Sequence, residues 1–404
     1  MRTPRLSSLD ALRGLAALAV VLSHVAEPGG SVGSAELRPA AVRWLAEVLA
    51  HGRVGVVLFF VISGFCIHLR WARARAEGRD AAVDFASFWR QRFTRLYPPY
   101  LVAMAIYLAI ETWSGVLIWD LFAGYDLMLH LLMLHNVDAR TVFSIVGVFW
   151  TLAIEEQLYL AYFLLLPLRS RLGWPRTLAI CAGARVAWFA LAFAVGQWGG
   201  GEFRLSHDSG SLAHWFSWSL GALCVEAMVG LVTLPAWAAR GRYAALCFLL
   251  AVGCDYATGH HLGGGLGWRL TWLVGSPLWV VGFFVLVNRL VRVEAAWRAA
   301  GAIPRPVTLL AGLGLFSYSL YLTHNLVLKH LGPPLLGWLG LSNGLGGRLM
   351  LVPLTLALAW AFFRASEQPA LNWAARYRSV DPGPVGTIAN RQPPRRGRRL
   401  ASAD

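Results

Sequence analysis

Apolar runs of about 17 to 23 residues recur along nearly the whole sequence, and each is long enough as a helix to cross a hydrocarbon core roughly 30 Å thick. Hydrophobic residues make up 57% of the chain and charged residues 14%, with a mean hydropathy of +0.54, unlike ordinary soluble domains. The sequence therefore predicts an all-α fold, a polytopic integral membrane helical bundle with about ten transmembrane helices. The ten predicted spans lie near residues 7–25, 54–69, 97–114, 149–168, 177–196, 213–233, 243–257, 267–288, 307–328 and 346–363.

Residues 115–148 are apolar, but four charged residues interrupt them: Asp120, Asp126, Asp138 and Arg140. We predict a re-entrant or interfacial segment here, because a full crossing would invert the orientation of every later span. The charge distribution supports this topology. With both termini in the cytoplasm, 26 of the 36 Lys and Arg residues fall on cytoplasmic segments, as the positive-inside rule requires.

The net charge of +15 is then mostly a topological signal, since basic loops that face anionic membrane lipid are expected of an inner-membrane protein. It gives no reason to invoke nucleic-acid binding. The sequence predicts a multi-pass protein of the inner (plasma) membrane with cytoplasmic N- and C-termini. The first apolar run is long and no clean small-residue cleavage site follows it, so we do not predict a cleaved signal peptide.

The membrane domain is predicted to cover residues 1–378. Residues 379–404 are rich in Pro, Gly and Arg without apolar periodicity, and we predict a disordered, basic cytoplasmic tail that touches lipid headgroups. The five cysteines form no C-x-x-C pair and are predicted to be small buried apolar residues. No histidine spacing matches a metal site, so we expect no metal cofactor.

The first span, LDALRGLAALAVVLSHV, carries three polar residues: Asp10, Arg13 and His24. At about 100° per residue all three share one helix face, and the helical rise puts His24 roughly 16 Å outward from Arg13. A charge at mid-bilayer costs about 2.5–3.5 kcal/mol, so this face is predicted to line a protein-enclosed interior. The alternative is that Asp10 and Arg13 pair to hold the helix and that His24 is an interhelical hydrogen-bond partner.

The fourth span, which includes FWTLAIEEQLYLAYF, carries a second polar face. Thr151, Glu155 and Tyr159 stand at i, i+4 and i+8 and therefore lie on the same side of the helix. A carboxylate beside His24 would orient its imidazole ring, and we predict Glu155 for this role. Glu156 points about a quarter turn away and is predicted to be an interfacial residue.

The first cytoplasmic loop has the densest positive charge. Arg92 and Arg95 stand at i and i+3 among aromatic residues, which predicts an amphipathic helix on the inner membrane face that ends before Pro98. Two guanidiniums on one face form a phosphate clamp; the alternatives are plain topogenic charge and a soluble phosphorylated ligand. In the second span, Ser63 and Gly64 suit close helix packing, and Ser63 could also line a narrow bore for an extended ligand.

The stretch LFSYSLYLTHNLVL in the ninth span forms another polar stripe. Tyr318, Tyr321 and Asn325 lie within about 60° on the helical wheel, and His324 is adjacent. We predict that this stripe faces the outer half of the bundle and that Tyr321, His324 and Asn325 bind substrate, together with Tyr159 of the fourth span. Hydrogen bonding within the core is the alternative.

Five motifs in this order resemble the acyltransferase-3 family of membrane-bound O-acyltransferases: LDALRGLAALAVVLSHV, GVVLFFVISGF, RQRFTRLYP, FWTLAIEEQLYL and SYSLYLTH. The resemblance covers roughly residues 6–370. Two positions depart from the family's S-L-x-x-E-x-Q-F-Y run, with Thr151 where serine is usual and Leu158 where phenylalanine is usual.

The resemblance implies an activity. Members of this family move an acyl group from cytosolic acyl-CoA, here expected to be acetyl-CoA, onto a carbohydrate or related hydroxyl compound. It also implies roles for five residues: His24 is similar to the family's essential histidine, Arg13 to its motif partner, Arg92 and Arg95 to its cytoplasmic R-x-x-R pair, and Glu155 to the first acid of its glutamate motif. Some members carry an SGNH hydrolase-like domain after the last span; here the membrane domain itself is expected to complete the transfer.

In the expected mechanism, the phosphates of acyl-CoA bind Arg92 and Arg95, and Arg13 lines the route inward. A neutral His24 then takes a proton from the acceptor hydroxyl, or forms a transient acyl-imidazole. A secondary transporter of a small anion or sugar is the main alternative, although the sequence shows no internal duplication. A non-catalytic scaffold would not require the arginine pair. The acceptor, whether an envelope polysaccharide, a lipid-linked sugar or a glycosylated metabolite, and the acyl chain length stay open.

Overall fold

The computed structural model describes residues 6–27, 39–198, 205–206, 209–260 and 271–376, with the backbone alone at 196–198, 259–260 and 272. Within these ranges the chain is helical and contains no β-strand, apart from one isolated bridge between Asp138 and Leu205. The predicted all-α class is therefore confirmed. The predicted tail, residues 379–404, lies outside the described residues.

The helices are numbered here in chain order. They are α1 (Ser7–Ala26), α2 (Ala40–Ala50), α3 (Gly55–Ala76), α4 (Phe85–Trp113), α5 (Leu121–Leu131), α6 (Trp150–Trp198), α7 (Ser211–Met228), α8 (Gly241–His260), α9 (Ser276–Ala299), α10 (Arg305–Leu315), α11 (Ser317–Asn325), α12 (Gly332–Trp338), α13 (Leu345–Met350), α14 (Val352–Phe362) and α15 (Gln368–Arg376). A 3-10 turn, His51–Val54, leads into α3, and the π-helical segment Leu326–Leu331 joins α11 to α12.

Among the described residues, six helical runs are long and apolar enough to cross a membrane, or seven if the pair Arg305–Leu315 and Ser317–Trp338, bent by 61°, counts as one span. The protein is a multi-pass membrane protein, but the predicted count of ten spans is not confirmed. One reason is that Trp150–Val195 is counted as a single run, although its backbone is not helical at Gly173 (φ 72°, ψ 170°), where two helices that match two predicted spans meet. Another is that α7 and α8, which coincide with two predicted spans, are not among the six. The predicted span 267–288 begins outside the described residues.

The segment 115–148 contains no helix of membrane-spanning length. Its helix α5 has 11 residues, and turns follow it as far as Phe149. A helix of this length is too short to cross a bilayer, which agrees with the predicted re-entrant or interfacial segment. The position of this segment relative to the membrane stays a prediction.

Helix α4 corrects one prediction. It begins at Asp84, whose carboxylate caps the helix by accepting the N–H of Ser87 at 2.7 Å, and this bond lowers the pKa of Asp84. The helix was predicted to end before Pro98, yet it continues through Pro98 and Pro99 to Trp113. Each proline removes one backbone donor, and packing within the bundle overrides this local cost. As a result, the arginine pair lies on the same rigid helix as the membrane span.

Close packing of α3 against α7 depends on glycine. A Cβ added at Gly64 would lie 1.9 Å from the carbonyl oxygen of Trp218, and one added at Gly221 would lie 1.9 Å from the carbonyl oxygen of Val61. The two helices therefore touch backbone to backbone. This confirms that Gly64 serves helix packing, as predicted for the small residues of the second span.

The cysteine prediction is confirmed in part. All five cysteines are free thiols, and Cys181 and Cys224 are buried as predicted. Cys66, Cys247 and Cys254 are half-buried. Cys66 lies inside the bundle and accepts a hydrogen bond from Arg13, so it is not only a small apolar packing residue.

Gly64→Ala is expected to destabilise the protein by about 1–3 kcal/mol, because the new methyl group would overlap a backbone carbonyl that cannot rotate away. Thermal unfolding of the purified protein in detergent measures the effect. Gly183→Ala is the matched control, since Gly183 lies within α6 and an added Cβ meets nothing within 4 Å. That change should leave the midpoint unchanged or raise it. Equal midpoints for the two variants would contradict the packing argument.

Candidate active site

A cluster of charged and polar side chains lies in the interior between α1, α3 and α6. The Arg13 guanidinium donates a hydrogen bond to the Cys66 sulfur at 3.2 Å and lies 3.6 Å from an Asp10 carboxylate oxygen. The predicted pairing of Asp10 with Arg13 is therefore present. Arg13 also interacts electrostatically with Glu155, which shows that the polar face of α1 faces protein rather than lipid.

Glu155 is the acceptor at the centre of this inner cluster. One carboxylate oxygen accepts hydrogen bonds from the hydroxyl of Ser63 at 2.6 Å and from that of Tyr159 at 2.8 Å. Trp218 donates its indole N–H to the Ser63 hydroxyl at 3.3 Å. The structure thus brings together three residues that the sequence placed on two different helices, and Glu155 and Tyr159 share a face as predicted.

The arginine pair lies at one end of the same cluster. The Arg92 guanidinium lies over the rings of Phe88 and Tyr159, at 5.4 and 5.6 Å from their centroids. It repels Arg95 and attracts Glu155. Among the described residues, neither arginine has a hydrogen-bond acceptor or an ion-pair partner. Their N–H donors are therefore available to an anion that enters from the inner end.

Glu156 was predicted to be an interfacial residue. Instead it is buried, with 5% of its surface exposed. Neither carboxylate oxygen has a hydrogen-bond partner within the described part of the chain. The helical wheel separates it from Glu155, but both of these faces of α6 are covered by the bundle, since Glu155 bonds Ser63 of α3 and Glu156 is buried. Glu156 also interacts electrostatically with Arg92 and Tyr97.

His24 lies at the other end of α1. Its Nδ1 is 2.9 Å from the carbonyl oxygen of Val20, its Nε2 is 3.7 Å from a carboxylate oxygen of Glu27, and its ring centroid is 4.9 Å from that of His324. A carbonyl can only accept, so Nδ1 must carry the proton. The Nε2 lone pair is then free to act as a base.

The prediction that Glu155 orients His24 is wrong. Glu155 contacts Ser63 and Tyr159, whereas His24 takes its tautomer from a backbone carbonyl. The cause is depth in the bundle. Glu155 lies near Arg13, and the helical rise between Arg13 and His24 is about 16 Å.

A buried arginine fixes the end of α1 that carries His24. Arg348 of α13 donates to the carbonyl oxygens of His24 at 2.7 Å and of Glu27 at 2.8 Å. These carbonyls have no partner within α1, so the guanidinium both satisfies them and complements the negative end of the helix dipole. No sequence pattern predicts this contact, because the residues it joins are more than 300 positions apart.

His24 lines a cavity of about 400 Å³, together with Glu27, which lies 3.7 Å from its Nε2 atom. The cavity is lined by Val20, Ser23, His24, Glu27, Ala50, Arg53, Val56, Phe143, Gly147, Val148, Trp150, Tyr321, Asn325 and Lys329. Two of the three predicted substrate-binding residues of α11, Tyr321 and Asn325, are in this lining. We call it the outer cavity, following the predicted orientation of α1.

The α11 residues differ in how far the core satisfies them. The Tyr321 hydroxyl donates to the carbonyl of Val148 at 2.6 Å and accepts from Thr151 at 2.7 Å, which is the core bonding that the alternative prediction described. Asn325 is 2% exposed, and neither polar atom of its side chain has a partner among the residues that the structure describes. The Nε2 of buried His324 is also without one. Unsatisfied buried polar atoms are costly, so these two are the groups that invite a polar ligand.

Tyr321 links the two ends of the site. It lines the outer cavity and interacts electrostatically with Glu155 in the inner cluster. Polar groups therefore lie at both ends of α1, around Arg13 and Glu155 at one end and around His24 at the other, with Tyr321 between them. This confirms a polar interior along α1, which the sequence inferred from the cost of charge in lipid.

Four residues of the outer cavity were missed by the sequence reasoning: Glu27, Arg53, Trp150 and Lys329. One signal could have found the two cations, since the predicted topology leaves only a minority of Lys and Arg residues outside the cytoplasm. Glu27 directly follows α1, and helical spacing does not predict where a side chain points once the helix has ended.

Two other polar groups lie away from this site. His130 and His135 stack with their centroids 3.9 Å apart, and His68 joins Arg169 and Trp174 in contacting the buried Glu226. In the portion of the chain that the structure describes, no group of three or more metal-ligating side chains converges.

The sequence was compared with protein-family profiles. The acyltransferase-3 profile, described as an acyltransferase domain, matches residues 6–364. The chain belongs to this family. The five motifs that suggested the resemblance lie within the match.

Two curated proteins illustrate what this acyltransferase-3 chain is similar to. The acyltransferase MdmB of Streptomyces mycarofaciens is 31% identical over 206 residues, which cover 48% of this chain and 48% of MdmB. The O-acetyltransferase OatA of Staphylococcus aureus is 27% identical over 180 residues, which cover 40% of this chain and 25% of OatA. The matches thus span half of these relatives or less. No solved structure matches the chain.

Asn325→Leu is expected to leave stability unchanged or raise it, because it removes a buried amide that no protein group satisfies. Asn288→Leu is the matched control: Asn288 is also buried, but its amide donates to the carbonyl of Ala238 at 2.7 Å. Losing that bond should cost about 1–3 kcal/mol. The midpoints of thermal unfolding in detergent compare the stabilities of the two variants. Destabilisation of both variants to the same extent would show that Asn325 is a core hydrogen-bonding residue instead.

Proposed function

We propose that the protein is an O-acyltransferase of the inner membrane that moves an acyl group, with acetyl as the expected one, from cytosolic acyl-CoA to a hydroxyl of a carbohydrate or glycosylated acceptor. The observation that supports this most strongly is the polar interior with unpaired guanidiniums at one end and a free imidazole nitrogen in a cavity at the other. The guanidiniums suit the phosphates of a thioester donor such as acyl-CoA. The imidazole nitrogen suits the hydroxyl of the acceptor.

On the donor side, Arg92 and Arg95 hold the phosphates of CoA. Planar guanidiniums form strong, charge-assisted hydrogen bonds with phosphate oxygens, and these two have no competing carboxylate bonded to them. The flexible pantetheine arm then extends past Arg13 toward His24, a distance of about 16 Å along α1. Ser63 and Tyr159 hold Glu155 in the wall of this passage, where the carboxylate balances the charge of Arg13.

On the acceptor side, His24 acts as the general base. Its Nδ1–H is held by the carbonyl of Val20, so Nε2 faces the acceptor hydroxyl in the outer cavity. The acceptor oxygen forms an ester bond with the acyl carbon, the C–S bond of the thioester breaks, and the proton passes through Nε2 to the CoA thiolate. Glu27 stabilises the imidazolium that exists after Nε2 has taken the proton. The sequence had predicted Glu155 for this role. Tyr321 and Asn325 line the acceptor position.

His24→Ala is expected to reduce acyl transfer by about 100-fold or more, the range for loss of a general base. The assay uses membrane vesicles with radiolabelled acetyl-CoA and measures both incorporated label and free CoA. His51→Ala is the matched control: the Nδ1 of His51 contacts the carbonyl of Glu47 in the same way, but His51 does not line the cavity. Full activity of the His24 variant would refute the assignment.

The same assay tests the transporter alternative. An acyltransferase releases free CoA in proportion to the acceptor that it modifies, whereas a carrier of small anions or sugars releases none. Label accumulation inside vesicles without free CoA, and unaffected by His24→Ala, would favour the carrier.

Arg92→Ala and Arg95→Ala are each expected to weaken CoA binding about tenfold or more, because each removes a charge-assisted bond to phosphate. Cys66 serves as the reporter, since it is half-buried and lies 3.2 Å from Arg13. In a protein with the other four cysteines replaced by alanine, desulfo-CoA should slow maleimide alkylation of Cys66. The concentration for half-protection should rise in both variants.

Arg90→Ala is the control for this measurement, because Arg90 is an exposed arginine on the same helix. It removes the same charge from the first cytoplasmic loop. If all three variants show the wild-type half-protection concentration, the arginine pair does not bind the phosphates of CoA.

A further inference from the structure

The outer cavity has a distribution of charge that the transfer reaction itself does not require. Its lining contains three formally charged side chains, the cations Arg53 and Lys329 and the anion Glu27. A neutral sugar would be held by amides, hydroxyls and aromatic rings alone. The excess positive charge therefore carries information about the acceptor.

Within the described ranges, neither cation of the lining is held in a close ion pair. Among the described residues, Arg53 and Lys329 have no hydrogen-bond acceptor and no ion pair within 4.0 Å. Glu27, the anion in the lining, lies 3.7 Å from the imidazole of His24 instead. Lys329 acts electrostatically on Glu111, which is outside the cavity lining, and on the neighbouring histidines His324 and His330.

Position within the cavity separates the cations from the base. Arg53 and Lys329 are exposed, whereas Asn325 is 2% exposed, with both polar side-chain atoms unpartnered. The cavity thus has a buried polar floor beside His24 and a cationic rim. Aromatic side chains, Phe143 and Trp150, complete the wall between them. Aromatic faces of this kind pack against the apolar faces of sugar rings.

We propose that the outer cavity selects an acidic acceptor, a sugar or glycoside that carries a carboxylate or phosphate group. This proposal rests on the acyl transfer proposed above, and it names the substrate class of that site. The anionic group binds Arg53 and Lys329 at the rim, and the ring lies against Trp150. One hydroxyl then reaches the floor, where Asn325 bonds a neighbouring polar group and Nε2 of His24 takes the proton. Charge-assisted bonds at the rim fix which hydroxyl is presented.

Equilibrium binding without acyl donor tests the proposal separately from catalysis. Full-length protein in zwitterionic nanodiscs is titrated calorimetrically with three probes: methyl glucuronide, a phosphorylated methyl glucoside and the neutral methyl glucoside. At least one acidic probe should bind about tenfold more tightly than the neutral one, as expected for one charge-assisted hydrogen bond. The tighter of the two acidic probes identifies the anion as carboxylate or phosphate.

Variants locate the effect. Arg53→Gln and Lys329→Gln should each reduce the preference for the acidic probe, with little change in binding of the neutral one. Arg43→Gln is the matched control, because Arg43 is an exposed arginine on the preceding helix α2 and does not line the cavity. It should keep the wild-type preference, which excludes general attraction to a positive surface.

Three results would overturn the proposal: equal or tighter binding of the neutral glucoside, no binding of any probe, or a preference that survives both rim substitutions. A separate experiment repeats the titration in nanodiscs that contain phosphatidylglycerol. If that lipid abolishes the preference, the cations serve lipid headgroups and not the acceptor. A further outcome separates the two proposals. If an acidic probe binds in a way that depends on Arg53 but the protein releases no CoA from acetyl-CoA, the proposed acyl transfer is refuted and the proposed acidic binding site is supported.

Discussion

The cost of placing charge in lipid governs this structure. A charged side chain at mid-bilayer costs about 2.5–3.5 kcal/mol, so a helix with Asp10, Arg13 and His24 on one face has to turn that face toward protein. The bundle meets this requirement with specific partners: Cys66 and Asp10 for Arg13, and a backbone carbonyl for His24. Helix α1 is therefore central to the bundle, and the polar interior along it is a consequence.

That interior has two ends with different chemistry. At one end, Arg92 and Arg95 present unpaired guanidiniums, and Glu155 is held between two hydroxyls beside Arg13. At the other, Arg348 holds the end of α1, so that His24 faces the outer cavity. Because α4 continues through its two prolines, the arginine pair and the span belong to the same helix. The separation that acyl transfer across the membrane interior would need is thus built into rigid helices.

Predictions that depended on periodicity within one helix were right. Asp10 lies beside Arg13, and Glu155 bonds Tyr159, because three- and four-residue spacings fix which side chains meet. Predictions that needed the relative depth of two helices were wrong, as for Glu155 beside His24. Glu156 was predicted to be interfacial because the helical wheel gives only the direction of a side chain, not whether other helices bury it. The count of ten spans was not confirmed, because α7 and α8 coincide with predicted spans but are not among the described helices that are long and apolar enough to cross a membrane.

The sequence by itself determined the helical class, the membrane location, the family and most residues of the inner cluster, since apolar length, charge placement and short motifs are local properties. Only the tertiary structure decided which residues share the outer cavity with His24: Glu27, Arg53 and Lys329 come from α1, the turn before α3 and the segment after α11. It also decided that Arg348 caps α1. These contacts join residues far apart in the chain, and their geometry follows from how the helices pack, which no spacing within a single helix specifies.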